Sequence, residues 1–158
     1  AKYLLEFERG GNFAPALRAR LKRLRAAARE ESLNGPPLLE DWAFEARLAQ
    51  AEIKVDAIQI TEHRVTSALT SGQNPGPLSS MLKTQGTEML QRIEELGLDI
   101  AAHYAPAGGR AASGENQPVG TPQSRDAAAR YFNSRAASIY GGSNEIQRNI
   151  MARLVLGL

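Results

Sequence analysis

The chain has 158 residues, no cysteine and two histidines, with 42% hydrophobic and 23% charged residues and a formal net charge of +2 at pH 7. Its length suits one ordinary domain with a buried core, while the absence of cysteine excludes disulfides and thiolate metal centres and two isolated histidines weigh against a metal site. No apolar run approaches the roughly 18 residues that span a bilayer, no signal-peptide pattern opens the chain and the small charge implies no polyanion, so a cytoplasmic protein with neither membrane insertion nor nucleic-acid binding is expected.

From Ala1 to about Ser32 the chain is rich in Ala, Leu, Arg and Glu and reads as helical, with Gly10, Gly11, Asn12 and Pro15 marking a kink or a break. Leu17, Leu21 and Leu24 form an apolar stripe. Arg18, Lys22, Arg25 and Arg29 form a basic one on another face, without interleaved aromatic residues, and a solvated or subunit-facing surface is the expectation for it. Asn34-Gly35-Pro36-Pro37 stops this helix, and a second is predicted from about Leu38 to Ala68 with Trp42, Ala46, Ala49, Ile53, Ala57 and Ile60 along its packing face. His63 falls within it and reads as a surface or hydrogen-bonded histidine.

The Ser71–Pro77 stretch is a loop, and a third helix follows from about Leu78 to Tyr104 on Leu78, Leu82, Met89, Ile93, Leu96 and Ile100. Gly86 interrupts that row, either at a close helix crossing or at an exposed position. His103, near the helix end, favours the macrodipole when protonated. From Ala105 to Gln123 the composition turns to Gly, Pro, Ser, Asn and Gln, predicting a flexible loop. Ser124 is then the expected cap of a fourth helix running to about Ser138, with Ala128, Tyr131, Phe132, Arg135 and Ile139 on its packing side.

The final stretch, Tyr140-Gly-Gly-Ser-Asn-Glu-Ile-Gln-Arg-Asn-Ile and on to Leu158, reads as a sharp turn feeding a helix. Gly141 and Gly142 permit a tight turn, Ser143 suits an N-cap, and Ile146, Ile150, Leu154 and Leu158, with Met151 and Val155 beside them, predict a buried stripe. Backbone N–H groups at such a helix start can hold an oxyanion-like group, although the same residues also make an ordinary cap. No alternating strand pattern or internal repeat appears. The expected fold is all-α: an antiparallel up-down four-helix bundle with an additional short C-terminal helix.

The run Arg135-Ala-Ala-Ser-Ile-Tyr-Gly-Gly-Ser-Asn-Glu-Ile-Gln-Arg-Asn-Ile, ending in Arg153-Leu-Val-Leu-Gly-Leu, resembles the C-terminal signature of acyl-CoA dehydrogenases. Glu8-Arg9 and Pro77-Leu78-Ser79-Ser80-Met81-Leu82-Lys83 resemble the family more loosely. The resemblance implies a bundle that is a fragment of a subunit, lacking the N-terminal helical and middle β domains. It implies removal of the α-proton of an acyl-CoA by a carboxylate, with hydride transfer from the β-carbon to FAD, giving a trans-2-enoyl-CoA. It also implies partners: the acyl-CoA, other dehydrogenase subunits in a homo- or hetero-oligomer, and an electron-transfer partner.

In the commonest family pattern the glutamate base directly follows the signature tyrosine, where this chain has Gly141. Two readings follow: a catalytically silent subunit, or a base carried on the first helix, as in family branches whose position Glu8 matches. Glu8 is preferred, with Arg9 and Tyr140 beside the substrate and the Gly141 N–H on the thioester oxygen. Gly142, Ser143 and Glu145 match positions that contact FAD. Relatives' Arg-x-x-Phe-Gly turn and Gly-Gly flavin loop are replaced by Asn34-Gly35-Pro36-Pro37 and the Ala105–Gln123 stretch, so the implied FAD is shared with missing domains or a partner subunit, and weak or no FAD retention is expected of this chain alone. The pattern is most similar to the divergent branch acting on bulky or dicarboxylic acyl-CoAs, some of whose members pair two unlike subunits.

Overall fold

The computed structural model describes residues 12–31, 35–105 and 120–157. Six helices lie within them: α1 (Ala14–Glu30), α2 (Trp42–Thr70), α3 (Pro77–Ala101), α4 (Pro122–Arg125), α5 (Ala127–Ser134) and α6 (Asn144–Leu156). Three short 3-10 turns, at Leu38–Glu40, Ala102–Tyr104 and Arg135–Ser138, join or extend them, and no strand occurs among the described residues. The all-α bundle expected from periodicity is the fold observed.

The α3 helix is the central post. It touches α1, α2, α4, α5 and α6, and its buried residues run from Ser79 to Ala101 on more than one face. On the α1/α2 side the core is aliphatic: Leu17 and Leu21 from α1, Leu48, Val55 and Ile58 from α2, and Leu82, Ile93 and Leu96 from α3. Burying each such side chain contributes about 1.5–3 kcal/mol. On the α5/α6 side the contact is smaller-grained and polar, with Ala127, Ser134, Ala137, Asn144 and Gln147 buried.

Pro15 opens α1 rather than kinking it, since a first-turn proline lacks only an N–H that would be unbonded anyway. The α1 start has no cap of its own. Glu62 of α2 supplies one, its Oε1 accepting the N–H groups of Phe13 and Ala14 at 2.5 and 3.0 Å, which places negative charge at the positive end of the α1 dipole. Phe13 then lies over Gly86 so closely that a Cβ there would fall 2.4 Å from its ring. Gly86 therefore marks a close crossing and not an exposed site.

The basic stripe of α1 is partly spent on α2. Arg25 makes a two-pronged bond to Glu52 at 3.0 and 2.9 Å, and Arg18 binds Asp56 at 2.7 Å and also Gln59. Lys22 and Arg29 remain exposed. His63 is exposed as well.

Several expected packing faces are reversed. On α2 the buried row is Phe44, Leu48, Ala51, Val55, Ile58, Glu62 and Val65, while Trp42, Ile53 and Ile60 of the predicted row point outward, Trp42 at 81% exposure. Both rows have helical spacing, and the apolar face of α1 with α3 selects one. On α5 and beyond, Phe132 and Ile139 are exposed and Ala127, Ser134 and Ala137 are buried, because only small side chains fit against the polar side of α3. On α6 the buried positions are Asn144 and Gln147, and Ile146, Leu154 and Val155 are exposed.

Within the predicted 105–123 loop, Ala105 is buried, and Thr121, not Ser124, caps α4, which begins at Pro122. Residues 106–119 lie outside the described residues, as do Glu8, Arg9 and Leu158.

Candidate functional site

The turn before α6 is forced by backbone geometry. Gly141 has φ +67° and Gly142 φ +89°, both in the left-handed region that L side chains rarely adopt. At Gly142 a Cβ would lie 2.7 Å from Gln147 Nε2, so a side chain there would also push the Gln147 amide away from the turn. At Gly141 a Cβ would meet nothing within 4 Å: the position opposes a side chain by conformation but leaves room for one.

The outer surface of the turn is a set of free donors. Among the described residues, no acceptor takes the N–H of Gly141, Gly142 or Ser143, and both glycines are exposed. Tyr140 beside them is 62% exposed. Ser143 caps α6, its Oγ lying 3.5 Å from the Ile146 N–H. Glu145 is exposed and its carboxyl is held below the usual range, chiefly by its own backbone N–H and then by the Ser143 hydroxyl.

The underside is buried and bonded. Gln147, at 0% exposure, points its Nε2 at the carbonyl oxygens of Gly141 and Gly142, at 3.3 and 3.4 Å, leaving Oε1 without a partner. Asn144, the first residue of α6, accepts from Lys83 Nζ at 2.8 Å and donates from Nδ2 to Thr87 Oγ1 at 3.2 Å. Lys83 is 5% exposed, and burial pulls its pKa below the ordinary lysine value while the Glu145 charge opposes that shift. The carbonyl oxygens of Gly141 and Gly142 are thus engaged by buried Gln147, while the N–H groups of residues 141–143 have no acceptor among the described residues.

The structure therefore brings Tyr140, Gly141, Gly142, Ser143 and Glu145 together on one turn. Lys83, Asn144 and Gln147 were not among the expected site residues. Their signal was present: Lys83 has Ser79, Ser80, Gly86 and Thr87 at helical neighbour positions and no charge to pair with, an odd setting for a solvated lysine.

An implied flavin can be tested against this donor set. N–H groups without an acceptor among the described residues at a helix start suit carbonyl oxygens, and the exposed Glu145 carboxylate suits hydroxyl groups while disfavouring a phosphate. This donor set is chemically compatible with the carbonyl and hydroxyl groups of a flavin cofactor.

The chain is thus an all-α bundle with an exposed glycine turn on the polar side of its central helix. The model of the family described as "Acyl-CoA dehydrogenase, C-terminal domain" matches residues 1–156, and the chain belongs to this family. A curated relative, the acyl-CoA dehydrogenase IpdE1 of Mycolicibacterium smegmatis, is 75% identical over 28 residues, which are 18% of this chain and 7% of that protein. An acyl-CoA dehydrogenase from Geobacillus kaustophilus has the same fold, with a TM-score of 0.74 at 20% identity over 94% of this chain and 36% of its own. The ChsE4-ChsE5 complex of Mycobacterium tuberculosis gives a TM-score of 0.71 at 22% identity over 90% of this chain and 35% of that one. The chain thus spans about a third of the length of these solved structures.

Proposed function

We propose that the chain is the C-terminal bundle of an FAD-dependent acyl-CoA dehydrogenase, working with an N-terminal helical and a middle β domain to convert an acyl-CoA thioester to its trans-2-enoyl-CoA. The observation that carries this reading, beyond family membership, is that the Gly141 N–H has no acceptor among the described residues while Gln147 engages the carbonyl oxygens of Gly141 and Gly142. Bound FAD would accept the β-hydride.

The α-proton next to a thioester is weakly acidic, so its removal needs a base out of bulk water and donors for the charge that grows on the carbonyl oxygen. The Gly141 N–H is the donor. Glu8 is the base, with Arg9 beside it, and Tyr140 flanks the acyl-thioester. Two described contacts support this assignment: Phe13 packs on Gly86 and Glu62 clamps the start of α1, anchoring the chain five residues after Glu8 on the same stretch of α3 that carries Lys83 and Thr87. Gly142, Ser143 and Glu145 lie on the FAD side.

Partner subunits or the rest of the dehydrogenase would cover the exposed Trp42, Ile53 and Ile60 on α2 and Leu154, Val155 and Leu156 on α6. The ChsE4-ChsE5 structure, a complex of two proteins, is in keeping with a shared flavin site here, and an electron acceptor protein completes the cycle. No helix among the described residues is long and apolar enough to cross a membrane, and cytoplasmic action is part of the proposal.

The test is acyl-CoA-dependent flavin bleaching in the complete protein with any partner subunit. Glu8→Gln is expected to abolish bleaching with FAD still bound, and unchanged bleaching would remove Glu8 from the mechanism. Because a side chain at Gly141 has open space, Gly141→Glu in the Glu8→Gln background is expected to restore part of the activity, despite a left-handed backbone cost of about 1–2 kcal/mol. A second reading, a silent assembly subunit, rests on the missing carboxylate at Gly141 and is favoured if wild type never bleaches.

A further inference from the structure

We infer that Lys83 is a positioning residue for the Tyr140–Ser143 turn, its buried ammonium holding the first residue of α6 through Asn144 and so setting where the N–H groups of Gly141 and Gly142 point. The inference rests on the proposed role of that turn for the thioester.

Lys83 is costly to bury. It is 5% exposed, yet among the described residues no carboxylate lies within 4.0 Å of its Nζ, and the single hydrogen bond found for it goes to the neutral Asn144 Oδ1. A buried, unpaired cation is unfavourable, and near the positive end of the α6 dipole it is more so. A methionine would occupy nearly the same volume without either penalty. Fold stability is therefore not what the lysine supplies.

What it supplies is direction. Its N–H fixes the Asn144 amide from one side while Thr87, whose Oγ1 donates to the Lys83 carbonyl at 2.9 Å, receives the other end at 3.2 Å. Asn144 is the second residue after Gly142. On the near side of the turn, Gln147 binds both glycine carbonyl oxygens. Two anchors on separate elements thus clamp a segment whose glycines would otherwise sample many conformations. The positive charge behind the turn also strengthens its pull on an oxygen that gathers negative charge in front.

The test uses the complete protein and three variants, Lys83→Met, Asn144→Ala and the double. Hydrogen exchange of residues 140–150 is read by mass spectrometry. The Ile146 and Gln147 amides, which are bonded to Ser143, are expected to exchange about tenfold faster in either single variant, with no further increase in the double and with α3 unchanged. Unchanged or additive exchange overturns the inference. If Lys83→Met does not fold, Asn144→Ala alone decides, since it removes the same bond from the other end.

A second measurement asks for more than structure. Lys83→Met is expected to weaken binding of an enoyl-CoA thioester about tenfold while leaving an alkyl-CoA thioether, which has no carbonyl, unaffected. Equal weakening of both would reduce Lys83 to a structural residue and refute the inference. Wild type binding neither CoA compound would sink the proposed function, while the exchange measurement would still decide the place of Lys83.

Discussion

Gly86→Ala separates helix propensity from packing. Gly86 lies inside α3, where alanine is ordinarily better by about 0.5–1 kcal/mol. Here the new methyl would fall 2.4, 2.6 and 2.7 Å from three ring atoms of Phe13, far inside contact distance. The ring must move by about an ångström, and overpacking of this kind costs about 1–3 kcal/mol. The backbone of Phe13 is held by its N–H bond to the buried Glu62, so the strain falls on the ring and its neighbours. The net expectation is destabilisation of about 2 kcal/mol, read as a lower urea midpoint at unchanged slope or a Tm lower by about 4–8 °C. In a Phe13→Leu background the same substitution should cost at least about 1 kcal/mol less. A Gly86→Ala protein as stable as wild type would refute the reasoning, since propensity alone would then govern the position.

Glu62→Leu removes the acceptor of two backbone N–H groups at the start of α1 and should cost about 2–4 kcal/mol in chemical denaturation; a cost under about 1 kcal/mol would mean that α1 needs no cap. Glu94 is buried between Arg20 and Arg130, yet these arginines are 35% and 38% exposed and can rehydrate. Glu94→Leu should therefore cost about 1–2 kcal/mol, and a loss above about 4 would show that the arginines stay desolvated. Glu145 has its carboxyl pKa lowered in the folded state, first by its own backbone N–H and then by Ser143, so its contribution is present above the unfolded pKa and is lost as pH falls through the lowered folded value. The stability difference between wild type and Glu145→Gln should accordingly close over that acid window, and a difference independent of pH would contradict the assignment.

Much of the fold was legible in local pattern. The rows Leu17, Leu21 and Leu82, Met89, Ile93, Leu96, Ile100 proved to be core, and Ser143 caps the last helix where serine chemistry puts it, while the third helix takes in Pro77, read from sequence as the end of a loop. The site turn was legible for a similar reason: two consecutive glycines before a capping serine can form little else, and their positive φ values bear that out. The acyl-CoA dehydrogenase resemblance read from the same residues is matched by the family model.

Other features needed the third dimension. The α2 helix carries two rows of helical spacing, Trp42-Ala46-Ala49-Ile53 and Phe44-Leu48-Ala51-Val55, and only the neighbouring faces of α1 and α3 select the second. On α6 the hydrophobic row faces outward because the site it docks on, around Lys83 and Thr87, is polar, so Asn144 and Gln147 turn inward to satisfy it. Periodicity fixes which residues share a helix face, because that depends on the 3.6-residue turn alone. Which face is buried, and which lysine stands behind the glycine turn, depends on partners 48 to 61 residues away, as with Glu62 beneath Ala14 and Lys83 beneath Asn144, and was decided by tertiary packing.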